Sequence, residues 1–245
     1  MALSPDDRFA FVTLEISNSL AVFDLHKALT SGFGPSDFVG TEPLGIAPVG
    51  LAVSPDGHWI YATSQTGKGD ARASQRTGTL TAIDLRQAET RPAHAIAAAV
   101  PAGCSPVRVI TSADGKVLWV TARGSDAVLG FSATMLRTDP GHALLARVQV
   151  GEAPVGLVSA DHDQRLIVAD SNRFETRGAS SNLAIVDVGA ALAGRPALLG
   201  MIPTGTFPRE MTMIPHTNTL LVTDYVSEQV QAVSLASAPL PVSAR

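Results

Sequence analysis

The sequence predicts an all-β fold, a β-propeller built of four-stranded antiparallel blades. One pattern, a tight turn followed by an apolar strand, recurs five times in the chain. Aligning the five copies places these residues at one position: Val12, Ala62, Val120, Val168 and Val222. The steps between them are 50, 58, 48 and 54 residues. Each copy reads as strands alone, and one four-stranded sheet must stack against copies of itself to bury both of its faces.

Each repeat divides into strands a to d, and the second repeat shows the division well. Strand a begins at Pro48, and strand b begins at Trp59 after the turn Asp56-Gly57. The glycine provides the positive φ that a tight hairpin needs. A long polar loop follows, then strand c from Thr79 and a short strand d over residues 95–100.

The remaining repeats follow the same order with local differences. Gly115 fills the turn of the third repeat, whereas Asp163 and Thr217 stand at that position in the fourth and fifth. Residues with a Cβ adopt positive φ less readily, so these two hairpins are expected to be looser. Trp59 and Trp119 lie in strand b of neighbouring repeats and are expected to pack between blades.

The repeats are expected to form a single propeller domain of five units. Their approximate boundaries are 1–43, 44–103, 104–151, 152–205 and 206–245. Four units are full and the fifth lacks strand d, because Pro239 and Pro241 make residues 236–245 a poor strand. A propeller usually closes by completing one terminal sheet with the other terminus. We therefore expect further sequence before Met1, with the chain as a segment of a seven-bladed ring of about 350 residues.

Composition narrows the function classes. The chain has 45% hydrophobic and 16% charged residues and a net charge of −4, so bulk charge provides no attraction to nucleic acid or anionic membranes. No run of eighteen apolar residues occurs, and membrane insertion is not expected. One cysteine, Cys104, excludes an internal disulfide. The six histidines lack metal-ligand spacing, and neither a metal nor a cofactor is expected.

The recurring string G-x-x-P-x-G-[LM], then [ST]-x-D-G, an apolar strand ending V-[TA] and a third strand ending [VI]-[DS], resembles the YVTN-repeat propellers. This family includes YncE-like proteins and the propeller-type lactonases. The resemblance covers nearly the whole chain, but its motifs report blades rather than chemistry. It implies a periplasmic or secreted location if an N-terminal signal is missing.

Candidate functional residues lie where the repeat pattern is broken. Two b–c loops are long, residues 64–78 and 170–181, and long loops in compact folds are often functional. They emerge on the same rim as the starts of the a strands, where charged residues stand in two repeats. The candidate ligand-binding residues on this rim are Lys68, Arg72, Arg173, Arg177, Arg108, Arg209 and Glu210.

Two interpretations of the charges on the a strands stay open. Arg108 and Glu210 would pair with each other in a structural role. Alternatively, Arg108 and Arg209 would hold an anionic ligand through bidentate hydrogen bonds. No catalytic residue is assigned. Aspartates that recur at the end of strand c are expected to bond to neighbouring backbone rather than to act in acid–base chemistry; these are Asp24, Asp84 and Asp187.

Three functions follow from these observations. A non-catalytic, YncE-like propeller that binds a small anionic or sugar-acid ligand, or a protein partner, is favoured. A lactonase-like hydrolase is the alternative that the family resemblance implies. A nucleic-acid-binding propeller is the least favoured, because the rim carries more acidic than basic residues and few aromatic side chains for stacking on bases.

Overall fold

The structure is a computed structural model that describes residues 1–67 and 77–236. It confirms the all-β propeller prediction: the described residues form five antiparallel sheets. The strands of the first three sheets are β1 (Ala2–Leu3), β2 (Phe9–Leu14), β3 (Ser19–Asp24), β4 (Phe38–Pro43), β5 (Ile46–Val53), β6 (Trp59–Thr66), β7 (Thr77–Asp84), β8 (Ile96–Cys104), β9 (Pro106–Thr111), β10 (Val117–Ala122), β11 (Ala127–Ser132) and β12 (Leu144–Gln149). Those of the last two are β13 (Pro154–Ala160), β14 (Arg165–Asp170), β15 (Asn182–Asp187), β16 (Leu198–Pro203), β17 (Pro208–Met213), β18 (Thr219–Asp224) and β19 (Gln229–Ser234).

Within every sheet, strands adjacent in sequence are hydrogen-bonded neighbours. The first four sheets have four strands each, β1–β4, β5–β8, β9–β12 and β13–β16, and the fifth has three in the described part of the chain, β17–β19. This up-and-down order is the blade architecture that the repeat predicts. Strand d of the second repeat is longer than predicted, since β8 continues to Cys104.

Backbone contacts group the chain into two compact units. Unit 1 contains Met1–Leu118 and Phe131–Ala143, and unit 2 contains Trp119–Gly130 and Leu144–Arg245. The first two sheets belong to unit 1 and the last two to unit 2. The expectation of a single propeller domain stays a prediction.

Each unit has its own apolar core, formed where the faces of neighbouring sheets meet. In unit 1 the buried side chains come from the first two sheets and include Phe11, Leu20, Val22, Ile60 and Ile83. In unit 2 they come from the last two sheets and include Ile167, Leu183, Ile185, Leu220 and Val222. Strand b provides buried residues on consecutive positions, because it packs on both faces.

In the described part of the chain, four short α-helices that the sequence did not predict connect strand c to strand d. They are α1 (Leu25–Ser31), α2 (Leu85–Thr90), α3 (Ala133–Thr138) and α4 (Val188–Leu192). Each begins with a side-chain oxygen of its N-cap residue accepting a backbone N–H of the first turn; the N-caps are Asp24, Asp84, Ser132 and Asp187. The expected aspartate-to-backbone bonds are therefore confirmed as helix caps. No helix in the described ranges is long and apolar enough to cross a membrane.

The first three a–b hairpins share a bond in which a serine hydroxyl donates to an aspartate; the pairs are Ser4 to Asp6, Ser54 to Asp56 and Ser112 to Asp114. Gly57 and Gly115 adopt φ of 71° and 69°, as the sequence predicts. In the fourth hairpin three consecutive residues, including Asp163, have positive φ. In the fifth, the residue with positive φ is His216 rather than Thr217. The closing bond keeps its place, since the Thr217 N–H donates to Ile214 as the Gly57 N–H donates to Ser54.

Threonine hydroxyls on strand b join neighbouring sheets. Each donates to a backbone carbonyl of strand a in the next sheet, at 3.0, 2.8 and 3.1 Å; the pairs are Thr13 to Val49, Thr63 to Val107 and Thr121 to Val155. The backbones approach closely at this point, since a Cβ on Gly50 would lie 2.3 Å from the Val107 oxygen. In the fourth sheet Ala169 occupies the position, so this bond is absent there.

Candidate functional site

The structure places the described candidate residues in three segments. Arg173 and Arg177 are exposed on the loop of residues 171–181, which joins β14 to β15, and Arg209 and Glu210 are exposed on β17; all four belong to unit 2. Arg108 is half-buried on β9 in unit 1. Lys68 and Arg72 lie outside the described residues.

Arginine and aromatic side chains of unit 2 form one line of contacts, which we term the arginine–aromatic chain. The Arg123 guanidinium carbon lies 5.8 Å from the Phe174 ring centroid, and that of Arg173 lies 5.5 Å from Phe174 and 5.6 Å from Phe207. The Phe207 and Tyr225 centroids are 5.6 Å apart in an edge-to-face arrangement, and Arg209 lies 5.6 Å from Tyr225. The line runs Arg123, Phe174, Arg173, Phe207, Tyr225, Arg209.

This arrangement concentrates positive charge on an exposed surface. Phe174 is 61% and Tyr225 62% exposed, so the rings are not core residues. A cation within about 6 Å of a ring is attracted to its face. The planar guanidinium group can donate N–H groups bidentately to a carboxylate or phosphate. The arrangement is chemically suited to anions.

The 171–181 loop that carries Arg173 is internally hydrogen-bonded. The Asn172 side chain accepts the Thr176 backbone N–H at 3.0 Å and donates to the Ala179 carbonyl at 3.1 Å. The Thr176 hydroxyl donates to Glu152 Oε1 at 2.7 Å, and the Ser181 hydroxyl donates to the Ser171 carbonyl at 3.1 Å. These bonds give the loop a defined conformation, which lowers the entropic cost of presenting Arg173 to a ligand.

Two polar residues close the base of this loop. Asp170 ends β14, Asn182 begins β15, and they face each other as a cross-strand pair. Oδ2 of Asp170 accepts the Gly151 backbone N–H at 2.9 Å. Burial raises the pKa of the Asp170 carboxyl to about 8; the Gly151 bond acts in the opposite direction, and the charge of Asp126 raises the pKa further. Burial therefore favours the protonated form of Asp170.

A cleft of about 470 Å³ lies beside the loop base. Its lining includes Ser181, Asn182, Met201, Pro203 and Thr206. No ionisable side chain is among the described residues that line it. The cleft thus offers a neutral surface of hydroxyl, amide and apolar groups. The cleft and the arginine–aromatic chain are adjacent along the polypeptide, since Thr206 of the cleft precedes Phe207.

The sequence identified part of this site. The structure brings Arg173 and Arg209 into one line of contacts, and their role in ligand binding stays a prediction. Arg108 and Glu210 belong to different units, and their pairing also stays a prediction. Sequence reasoning missed Phe207 and the Asp170–Asn182 pair. The sequence does hold a signal for Phe207, because each of these two arginines has a phenylalanine nearby. Phe174 directly follows Arg173, and Phe207 lies two residues before Arg209.

Within residues 1–67 and 77–236, no three His, Cys, Asp or Glu side chains converge in a way that would hold a metal ion. No known protein-family profile matches the chain. No curated protein matches its sequence either.

Several solved structures are similar to this chain in fold. The periplasmic gluconolactonase PpgL of Pseudomonas aeruginosa has a TM-score of 0.67 and 20% identity, over 99% of this chain and 68% of that one. The Cps50 (Swd1) β-propeller domain of Myceliophteria thermophila has a TM-score of 0.67 and 14% identity, over 95% and 68%. A putative 6-phosphogluconolactonase of Bacteroides uniformis has a TM-score of 0.63 and 15% identity, over 94% and 66%.

At these identities the likeness shows the propeller fold alone. The fold is shared by proteins of different kinds, here a gluconolactonase, a putative 6-phosphogluconolactonase and a Swd1 domain. The YVTN-repeat and YncE-like affiliation stays an interpretation of the sequence.

Proposed function

We propose that this chain is a non-catalytic β-propeller binding protein that holds a small anionic ligand, such as a sugar acid, on the arginine–aromatic chain of unit 2. The observation that carries the proposal is that guanidinium groups from three separate segments contact one line of aromatic rings, of which Phe174 and Tyr225 are exposed. Arg123 lies in the turn after β10, Arg173 in the 171–181 loop and Arg209 on β17. Cation–π contacts at exposed positions stabilise a fold by only about 0.5–1 kcal/mol each, and such arginines can also bind an anion.

The electrostatics favour an anion of one or two negative charges. Glu210 follows Arg209 on β17 and is exposed, so its carboxylate offsets part of the positive charge. Charge-assisted hydrogen bonds contribute about 1.5–3 kcal/mol each where water is excluded, and less at exposed positions. The site therefore supports moderate rather than tight affinity. The neutral cleft beside it accommodates an uncharged part of the same ligand.

The test is isothermal titration calorimetry at low ionic strength with gluconate, citrate and inorganic phosphate as probes. We expect at least one probe to bind the wild-type protein, and Arg173→Ala and Arg209→Ala each to weaken binding by about tenfold, the equivalent of one lost charged contact. The matched control is Arg195→Ala, an exposed arginine of unit 2 that follows α4 at the other end of β15. Equal losses in all three variants, or no binding by any probe, would contradict the proposal.

A lactonase-like hydrolase is the second candidate, and the similarity to the Pseudomonas gluconolactonase at 20% identity is the observation that favours it. Glucono-δ-lactone hydrolysis, followed with a pH-stat against the spontaneous rate, separates the two functions. A binding protein leaves the rate unchanged. Acceleration that is proportional to protein concentration and lost in Arg173→Ala would replace our proposal with the hydrolase.

A further inference from the structure

Two buried oxygen atoms lie at the base of the 171–181 loop. Asp170 is fully buried and Asn182 is 7% exposed. Among the residues that the structure describes, Oδ1 of Asp170 and Oδ1 of Asn182 both lack a hydrogen-bond partner. Burying a polar atom without a partner is unfavourable, and two such atoms lie close together here.

The other polar atom of each side chain is already engaged, which fixes both orientations. Asp170 Oδ2 accepts the Gly151 N–H. Asn182 Nδ2 donates to the Ser180 carbonyl at 3.0 Å. Flipping the amide would place its oxygen against that carbonyl oxygen, so the unpartnered atom of Asn182 is an acceptor. Both remaining atoms are therefore oxygens on directly opposed residues, whose side chains share one face of the sheet with Cβ atoms about 4.5–5.5 Å apart.

A proton shared between two acceptor oxygens in this position satisfies both of them. We propose that Asp170 is a protonated carboxylic acid in the folded protein and that its Oδ1–H donates to Asn182 Oδ1, so that one proton closes the base of the loop. Asp170 is then a positioning residue for Arg173 and Phe174, which follow it by three and four residues. The proposal does not depend on the proposed function.

The surroundings of Asp170 stabilise the neutral acid. Burial raises its pKa to about 8. Among the described residues, the neighbouring charge that acts on it is that of Asp126, which raises its pKa, and no basic side chain contributes. The opposed residues on the flanking strands are Pro154 of β13 and Asn182 of β15, neither of which titrates. The nearby Glu152 is hydrogen-bonded to Thr176.

A second aspartate shows the contrasting arrangement. Asp224 ends β18 as Asp170 ends β14, and it faces Gln229 as a cross-strand pair. Gln229 donates its Nε2 to Asp224 Oδ2 at 3.1 Å, while Asp224 Oδ1 has no hydrogen-bond partner among the described residues. The amide that faces Asp170 presents an oxygen instead of an N–H group, and this is the difference between the two pairs. Asp224 is accordingly the matched control.

The consequence is a defined dependence of stability on pH. The folded-state pKa of Asp170 is above the unfolded value of 3.8, so the folded state binds the proton more tightly. The stabilisation is complete below about pH 4 and is lost as the pH rises to about 8. Asp170→Asn keeps an acceptor for Gly151 and supplies an N–H donor for Asn182 at every pH, and it should remove this dependence.

The experiment combines two measurements on the 245-residue chain. Carbon-13 NMR titration of the aspartate carboxyls should show Asp170 still protonated at pH 7. Urea unfolding from pH 5 to pH 8 should show the wild-type unfolding constant rising about tenfold per pH unit relative to Asp170→Asn. Asp224→Asn should retain the wild-type dependence, and Asp170→Ala should be destabilised even at pH 5.

Partnership with Asn182 is tested by a double-mutant cycle at pH 6. Asp170→Ala and Asn182→Ala each leave one buried polar atom unpaired, so the double variant should lose less stability than the two single losses added together. Titration of Asp170 near pH 4, parallel pH profiles for wild type and Asp170→Asn, or additive losses in the cycle would each overturn the proposal.

Discussion

At the scale of single residues, arginine has two different roles. Arg137 of unit 1 supports the fold, and Arg173 of unit 2 belongs to the candidate site. Arg137 of α3 lies with its guanidinium carbon 4.4 Å from the Trp59 ring centroid and donates to the Tyr61 hydroxyl at 2.9 Å. Tyr61 is 1% exposed. Burial raises the pKa of the Tyr61 hydroxyl, and the charge of Arg137 opposes that rise. Arg173 contacts the exposed ring of Phe174 and the half-buried ring of Phe207, whereas Arg137 contacts the half-buried ring of Trp59 and also donates to a buried hydroxyl.

The first of these roles predicts a stability effect. Arg137→Ala removes the cation–π contact and the hydrogen bond to a buried hydroxyl, and it should lower the free energy of unfolding by about 2–3 kcal/mol. Arg91→Ala, at an exposed position after α2, should change it by less than about 0.5 kcal/mol. Urea unfolding followed by tryptophan fluorescence measures both. Equal effects would show that the Trp59 contact contributes nothing.

At the scale of elements, the hairpins and helices are specified by short polar signals rather than by apolar periodicity. In the third a–b hairpin the Ser112 hydroxyl donates to Asp114 Oδ1 at 2.7 Å and accepts the Val117 N–H at 3.0 Å. Asp114 Oδ1 also accepts the Lys116 N–H at 3.0 Å. The same arrangement recurs in the first two hairpins around Ser4 and Ser54. These bonds hold each turn in one conformation.

The hairpin network predicts a response to acid. The Ser112 hydroxyl, followed by the Lys116 backbone N–H, lowers the pKa of Asp114 to about 2. The folded-state pKa is below the unfolded value, so the stabilisation is present above about pH 4 and is lost as the pH falls to 2. Ser112→Ala should raise the Asp114 pKa towards 3.8 and move acid unfolding to higher pH. NMR titration of Asp114 and circular dichroism check both.

The control for that prediction is Ser31→Ala, an exposed serine at the end of α1 in the same unit. It should leave the Asp114 pKa and the acid midpoint unchanged. An Asp114 pKa that stays near 2 in Ser112→Ala would mean that the serine hydroxyl is not the cause of the low value.

The strands were predictable from the sequence because each blade repeats a turn and an apolar strand at nearly constant spacing. The helices were not, since α4 has only five residues and no helical periodicity can be read from so few. Their real signal is the N-cap, and Asp187 was recognised as a backbone partner without the helix that it starts. The candidate site was predicted through Arg173 and Arg209, whereas the contact of Phe207 with both Arg173 and Tyr225 depends on three-dimensional proximity alone.

At the scale of the whole molecule, sheets within a unit are joined by hydrogen bonds as well as by apolar packing. Thr63 is fully buried; its hydroxyl donates to the Val107 carbonyl and accepts the Gly50 N–H at 3.0 Å. Apolar packing tolerates small sliding movements, but a hydroxyl bonded on both sides fixes how one sheet is set against the next. Thr223, the equivalent residue of the fifth sheet, is exposed and engages Glu210 of its own sheet.

The last prediction tests whether these hydroxyls hold the sheets together. Thr63→Val keeps the side-chain shape but leaves a buried carbonyl and a buried N–H without that partner, so the free energy of unfolding should fall by about 2–4 kcal/mol. Thr223→Val removes only exposed bonds within one sheet and should cost less than about 1 kcal/mol. Urea unfolding at pH 7 compares the two variants. If both variants lose a similarly small free energy of unfolding, the apolar core alone holds neighbouring sheets together. If Thr63→Val loses more, as we expect, the repeated threonine hydroxyl also links neighbouring blades.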